Sequence, residues 1–128
     1  MGWYSHHVYT FYNKILTEEE KEKISELVLN LIEVYYYCKH KFVIRGKSSI
    51  LDVKHKYDGI SNAKSLSKMF PTLTILEEWE GEEPMHNNEL GYVNHYLKLW
   101  INGEICSIKT GSMYMNTTID TVVNETKK

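Results

Sequence analysis

The sequence predicts an α+β sandwich in which two helices lie on one face of a mostly antiparallel sheet of four to five strands. Three features carry this prediction. An aromatic and β-branched run fills residues 3 to 12, an amphipathic pattern opens at Thr17, and GYVNHYLKLWI alternates cleanly up to Asn102-Gly103. Taken in chain order, strand, helix, strand, helix and three further strands give a ferredoxin-like arrangement.

WYSHHVYTFY, from Trp3 to Tyr12, favours a strand because aromatic and β-branched side chains pack well on a pleated surface. Asn13 and Lys14 leave the sheet. Thr17 and Glu20 form a capping box, and Glu18 and Glu19 lie at the positive end of the helix dipole. Ile24, Leu27, Val28, Leu31, Tyr35 and Cys38 recur at three- and four-residue spacing, so one stripe of this helix is buried. KFVIRG is a second strand, closed by Gly46, whereas ILDVKHKYD fits no single pattern. A second helix opens near Asp58 or Ser61 and stops at Phe70, because Pro71 disfavours helical geometry before it; its buried stripe is Ala63, Leu66, Met69 and Phe70.

In TLTILEEW, Leu73, Ile75, Glu77 and Trp79 share one face. EGEEPMHNNELG reads as a polar loop, with Glu77, Glu78, Glu80, Glu82, Glu83 and Glu89 as a solvated acidic run. Asn102-Gly103 suits a two-residue type I′ turn, whose central positions both need positive φ. EICSI therefore pairs back on the preceding strand, with Leu97, Leu99, Ile101, Cys106 and Ile108 as the expected buried side. Residues 1–110 read as one domain, and 111–128 as a polar extension, frayed at its end.

At 128 residues, 42% hydrophobic and 25% charged, the chain has the composition of a soluble globular domain. No window approaches the ~18 apolar residues of a membrane span, and no secretory leader opens the chain, so the expected compartment is the cytosol. Cys38 and Cys106 lack metal-binding or redox spacing and read as small buried hydrophobes. A net charge of −2 and a single arginine, Arg45, argue against a nucleic-acid partner.

The segments MGWYSHHVYTF, MFPTLTILEEWEG and YVNHYLKLWINGEI resemble the YubB-like ferredoxin-like domains of small plasmid- and phage-borne proteins. The resemblance spans residues 1 to 108. It implies a fold and a mobile-element setting, and it transfers no residue roles.

Neither HxH nor HExxH occurs among the six histidines, and no complete catalytic, metal or cofactor motif is present. His6 and His7 point to opposite faces of their strand, so they do not form a double ligand, and the stronger candidate is whichever shares a face with His95. Arg45 offers a planar fork for phosphate or carboxylate. Ten tyrosines, with Tyr35, Tyr36 and Tyr37 consecutive, point to core packing, a homo-oligomer contact or a stacking surface. The expected function is a binding protein of phage or mobile-element origin that sequesters a nucleotide-like ligand or inhibits a host defence protein. Its ligand-binding residues are taken as His7, Tyr9, Arg45, Trp79 and His95, with no metal and no cofactor. The alternative is a phosphodiesterase or nucleotide hydrolase using His7 and His95 as acid and base.

Overall fold

The computed structural model describes residues 4–30, 38–56, 61–87 and 90–110. Its elements are β1 (Tyr4–Phe11), α1 (Glu18–Asn30), β2 (Cys38–Arg45), β3 (Ser48–Lys56), α2 (Ala63–Met69), β4 (Thr74–Asn87), β5 (Gly91–Ile101) and β6 (Glu104–Thr110). Among the described residues the strands form one six-stranded sheet in the order β2-β3-β1-β4-β5-β6, and every neighbouring pair is antiparallel.

This architecture corrects the ferredoxin-like expectation of a four- to five-stranded sheet under two helices. The sheet is wider and dominates the fold, while over the described residues the helices span 13 and 7 residues. Two segments account for the difference. ILDVKHKYD, residues 50–58, fits no single pattern, yet its described part lies in β3 (Ser48–Lys56): Leu51 and Val53 face the core, while Asp52 and Lys54 point to the other face and hide the strand signal. The acidic stretch after Trp79 is no free loop either, because β4 runs on to Asn87 and pairs Met85, His86 and Asn87 with Val93, Tyr92 and Gly91. The ladder slips between Glu80 and Met85, and that irregularity lets a polar, glycine-containing segment remain in a strand.

Local chemistry explains the element ends. Asn13 takes a φ of 55° after β1, a left-handed conformation that asparagine tolerates better than most residues. The capping box is complete: the Glu20 N–H donates to Thr17 Oγ1 at 3.1 Å, and the Thr17 N–H donates to Glu20 Oε1 at 2.8 Å. That backbone donation holds the Glu20 carboxyl below its usual range. At the far end of β2, Gly46, with φ of 61°, begins the two-residue turn into β3, where Arg45 pairs with Ser48. α2 ends before Pro71 as expected. Asn102 and Gly103, at φ of 48° and 79°, give the type I′ hairpin that closes β5 on β6.

Strand alternation gives the sheet two unlike faces. On one, Tyr9, Phe11, Leu51, Val53, Ile75 and Trp100 pack with Ile24 and Val28 of α1 and with Ala63 and Leu66 of α2. On the other, Leu76, Leu97 and Leu99 form a smaller cluster with Tyr12 against it. These are called the Tyr9 face and the His6 face below. Cys106 departs from its expected burial: Trp100 pairs with Ile105 and Leu99 with Ser107, so Cys106 is the extra residue of a bulge and is exposed. The same slip puts Ile108 opposite Lys98, away from the face of Leu97 and Leu99. The continuation of α1 through Leu31 and Tyr35, the tyrosines Tyr35 to Tyr37, and the tail beyond Thr110 lie outside the described residues. Among the described residues, no helix is long and apolar enough to cross a membrane.

Two substitutions test this account of the element ends. Gly103→Ala puts a Cβ at positive φ, 2.8 Å from the movable Lys68 side chain, and is expected to lose about 1–2 kcal/mol through the backbone alone. Thr17→Ala removes half of the capping box and is expected to lose about 1 kcal/mol. Both should lower the urea midpoint while leaving the denaturant slope unchanged.

Candidate functional site

Two titratable constellations lie back to back on the sheet. The one on the Tyr9 face is built around Glu77, whose side chain is fully buried among Tyr9, Trp79, Tyr96 and Trp100. β4 places it there because Glu77 alternates in step with Ile75 and Trp79, and it stands beside Tyr9 of β1 and Lys98 of β5. Burying a carboxyl is costly unless donors surround it. Here Ser61 Oγ and Tyr96 Oη donate to Oε2 at 2.5 and 3.0 Å, and Trp100 Nε1 donates to Oε1 at 3.0 Å. His7 Nε2 stands 3.6 Å from Oε2, and the Lys98 ammonium lies 4.6 Å from the centre of the Tyr96 ring.

Burial pushes the Glu77 carboxyl above its usual range, against the donors and the Lys98 charge that favour the anion. Burial also raises the Tyr9 hydroxyl, reinforced by the Glu77 charge, so Tyr9 stays protonated while its oxygen accepts the Asn62 N–H at 3.0 Å. Rings complete the enclosure: His7 stacks on Tyr9 at 5.6 Å between centroids, and Trp79 on Tyr96 at 5.4 Å. With His7, Tyr9 and Trp79 at 1%, 0% and 4% exposure, these rings offer no surface to a ligand in this conformation. The cluster ties α2 to the sheet.

The second constellation is on the His6 face. His6 lies opposite Lys54 of β3 on one side and Glu80 of β4 on the other, and Glu80 lies opposite His95 of β5. His6 Nε2 meets Asp52 Oδ1 at 2.5 Å, which fixes the ring on the sheet. At the slip in the β4–β5 ladder, a cleft of about 420 Å³ opens, lined by Ser5, His6, Lys54, Glu80, Gly81 and Glu82. Gly81 lies opposite Ser5, in step with His7 and Trp79, and lines the cleft with its backbone. Farther along the same face, Glu78 is pushed up to about 7 by burial, with the Arg45 charge opposing and Glu80 reinforcing the rise.

The five expected site residues are therefore divided. His7, Tyr9 and Trp79 come together in the Glu77 cluster, His95 is buried on the other face, and Arg45 ends the outer strand β2. His7 and His95 face opposite ways, and the histidine that shares a face with His95 is His6. Three cleft-lining side chains on the His6 face, Lys54, Glu80 and Glu82, were not singled out as ligands by the sequence, and Ser5, in step with His7, is buried. Glu77 stood in the inward register of TLTILEEW, yet its place in an acidic run made it read as solvated. Among the described residues, no group of three or more histidine, cysteine, aspartate or glutamate side chains could hold a metal ion.

Removing the Glu77 carboxyl strands its donors, so Glu77→Leu is expected to cost about 3 kcal/mol or more in urea unfolding, and Glu77→Gln less because it retains one acceptor oxygen. A folded-state pKa above the unfolded one means that the native chain holds a proton which the unfolded chain releases. The stability contributed by Glu78 is thus present below pH 4.5 and is lost as the pH rises to about 7. Glu78→Gln should flatten the urea midpoint against pH over that interval. Comparison of the chain with models of protein families, with curated proteins and with solved structures gives no match.

Proposed function

We propose that the chain is a small binding protein that sequesters a phosphorylated, nucleotide-like ligand in the cleft beside His6. The single observation behind this reading is that one cleft of about 420 Å³ joins His6 and Lys54 with Glu80 and Glu82. Its volume is that of a small-molecule site. Lys54 supplies a compact positive charge for a phosphate group, and His6, steadied by Asp52, adds a ring nitrogen beside it. The carboxylates of Glu80 and Glu82 are acceptors, suited to the hydroxyls of a sugar or to an exocyclic amine. Recognition then works by charge and hydrogen bonding, because Tyr9 and Trp79 are committed to the interior. Hydrolysis by His7 and His95 as a pair is not proposed, since the two rings lie on opposite sides of the sheet.

Titration calorimetry with AMP, ADP, cyclic AMP, ribose 5-phosphate and adenosine tests the reading. Binding of phosphorylated members but not of adenosine is expected. Lys54→Met and His6→Ala should each weaken it about tenfold or more, the worth of one charge-assisted contact. A folded protein that gives no heat with any of the phosphorylated compounds sinks the proposal.

A further inference from the structure

β2 is the outermost strand on its side of the sheet, and among the described residues only β3 pairs with it. Among the described residues, none meets the backbone donors and acceptors on its outer side, which form a template on which another strand can build. The strand is rigidly backed: His40 Nε2 meets Ser25 Oγ of α1 at 2.9 Å, and the Lys21 ammonium of α1 lies over the Phe42 ring at 5.9 Å. Its exposed surface combines apolar area with positive charge. Val43 and Ile44 are 43% and 61% exposed, and Lys39, Lys41 and Arg45 stand on the same face as Val43. Within Cys38–Arg45 there is no acidic residue, although the whole chain carries a net charge of −2.

We infer that the β2 edge is a docking surface for an extended acidic segment of another protein, which adds antiparallel to β2 as a seventh strand beside the six described. Charge decides between this partner and a second copy of the chain. Two β2 strands paired antiparallel about their middle bring lysine and arginine against each other, because Lys39 then faces Arg45, and like charges directly opposed are destabilising. An acidic strand reverses the sign. In an antiparallel partner, the residues facing Arg45, Val43, Lys41 and Lys39 occur in that order at every second position, which defines the pattern Glu-x-Val-x-Glu-x-Glu. The main-chain ladder gives affinity and the alternate side chains give selectivity. This inference is independent of the ligand cleft.

The test uses the full chain and two fluorescein-labelled peptides, Glu-Val-Val-Thr-Glu-Thr-Glu and its counterpart with lysine at each glutamate. Fluorescence anisotropy should show the acidic peptide binding at least tenfold more tightly than the basic one. Lys39→Glu with Lys41→Glu, both at exposed positions, should reverse that preference. N-methylation of alternate peptide amides, in both of the two possible phases, should abolish binding in the phase that faces β2. Equal binding of the two peptides, no binding of either, or binding indifferent to N-methylation in both phases overturns the inference. A dimer in sedimentation that the double substitution alters overturns the choice of partner.

Discussion

The fold depends on the satisfied burial of one carboxyl group. Glu77 lies on β4 between Tyr9 of β1 and Lys98 of β5, and its oxygens gather hydroxyl and indole donors from Ser61, just before α2, and from β5. An apolar residue would pack the site without specifying anything. The carboxyl fixes which strand lies beside β1, which face of β5 turns inward and where α2 begins, because any other arrangement leaves several buried polar groups unpaired. The Asn62 N–H bond to the Tyr9 hydroxyl and the Gly103 N–H bond to Ser67 Oγ extend the same logic to either end of α2. A helix of 7 residues, too short to be stable alone, is held in place by these polar contacts and by the burial of Ala63 and Leu66.

With the Tyr9 face committed in this way, its side chains offer no surface to a ligand. Tyr9, Trp79, Tyr96 and Trp100 are spent on enclosing Glu77. The accessible chemistry is on the His6 face, where strand alternation exposes a different set of side chains from the same strands. His6 and His7 are neighbours in the chain and belong to different environments: one shares an open cleft with Lys54, and the other is 1% exposed against Tyr9 and Trp79.

What the sequence made legible follows from how local each signal is. The Thr17–Glu20 cap, the stop before Pro71 and the Asn102-Gly103 turn were readable because each depends on a few consecutive residues. That Ile75, Glu77 and Trp79 share one face was readable from alternation alone. β3 was obscured because its outward positions carry Asp52 and Lys54, and the extension of β4 because glycine, proline and glutamate mark loops unless a partner strand supplies the pairing. Cys106 was misplaced by a bulge, which no local pattern announces. The cleft is the extreme case. Ser5, Lys54 and Glu80 are distant in the chain and meet only through the β3-β1-β4 register, so composition and spacing could not assemble them. His6 could be reached by its relation to His95, but choosing it over His7 required knowing which face turned inward.

The slip between Glu80 and Met85 separates two mechanical regimes along one strand. Up to Glu80, β4 is locked into register by Phe11, Tyr9 and His7 on one side and by Trp100, Lys98 and Tyr96 on the other. Beyond Gly81, which still faces Ser5, the described part of the strand pairs with the start of β5, so a residue gained or lost between Glu82 and Met85 is absorbed without turning any core side chain to the wrong face. The rim of the cleft is thereby the part of the sheet most open to evolutionary change in length and composition, and its shape can be retuned while the interior stays as it is.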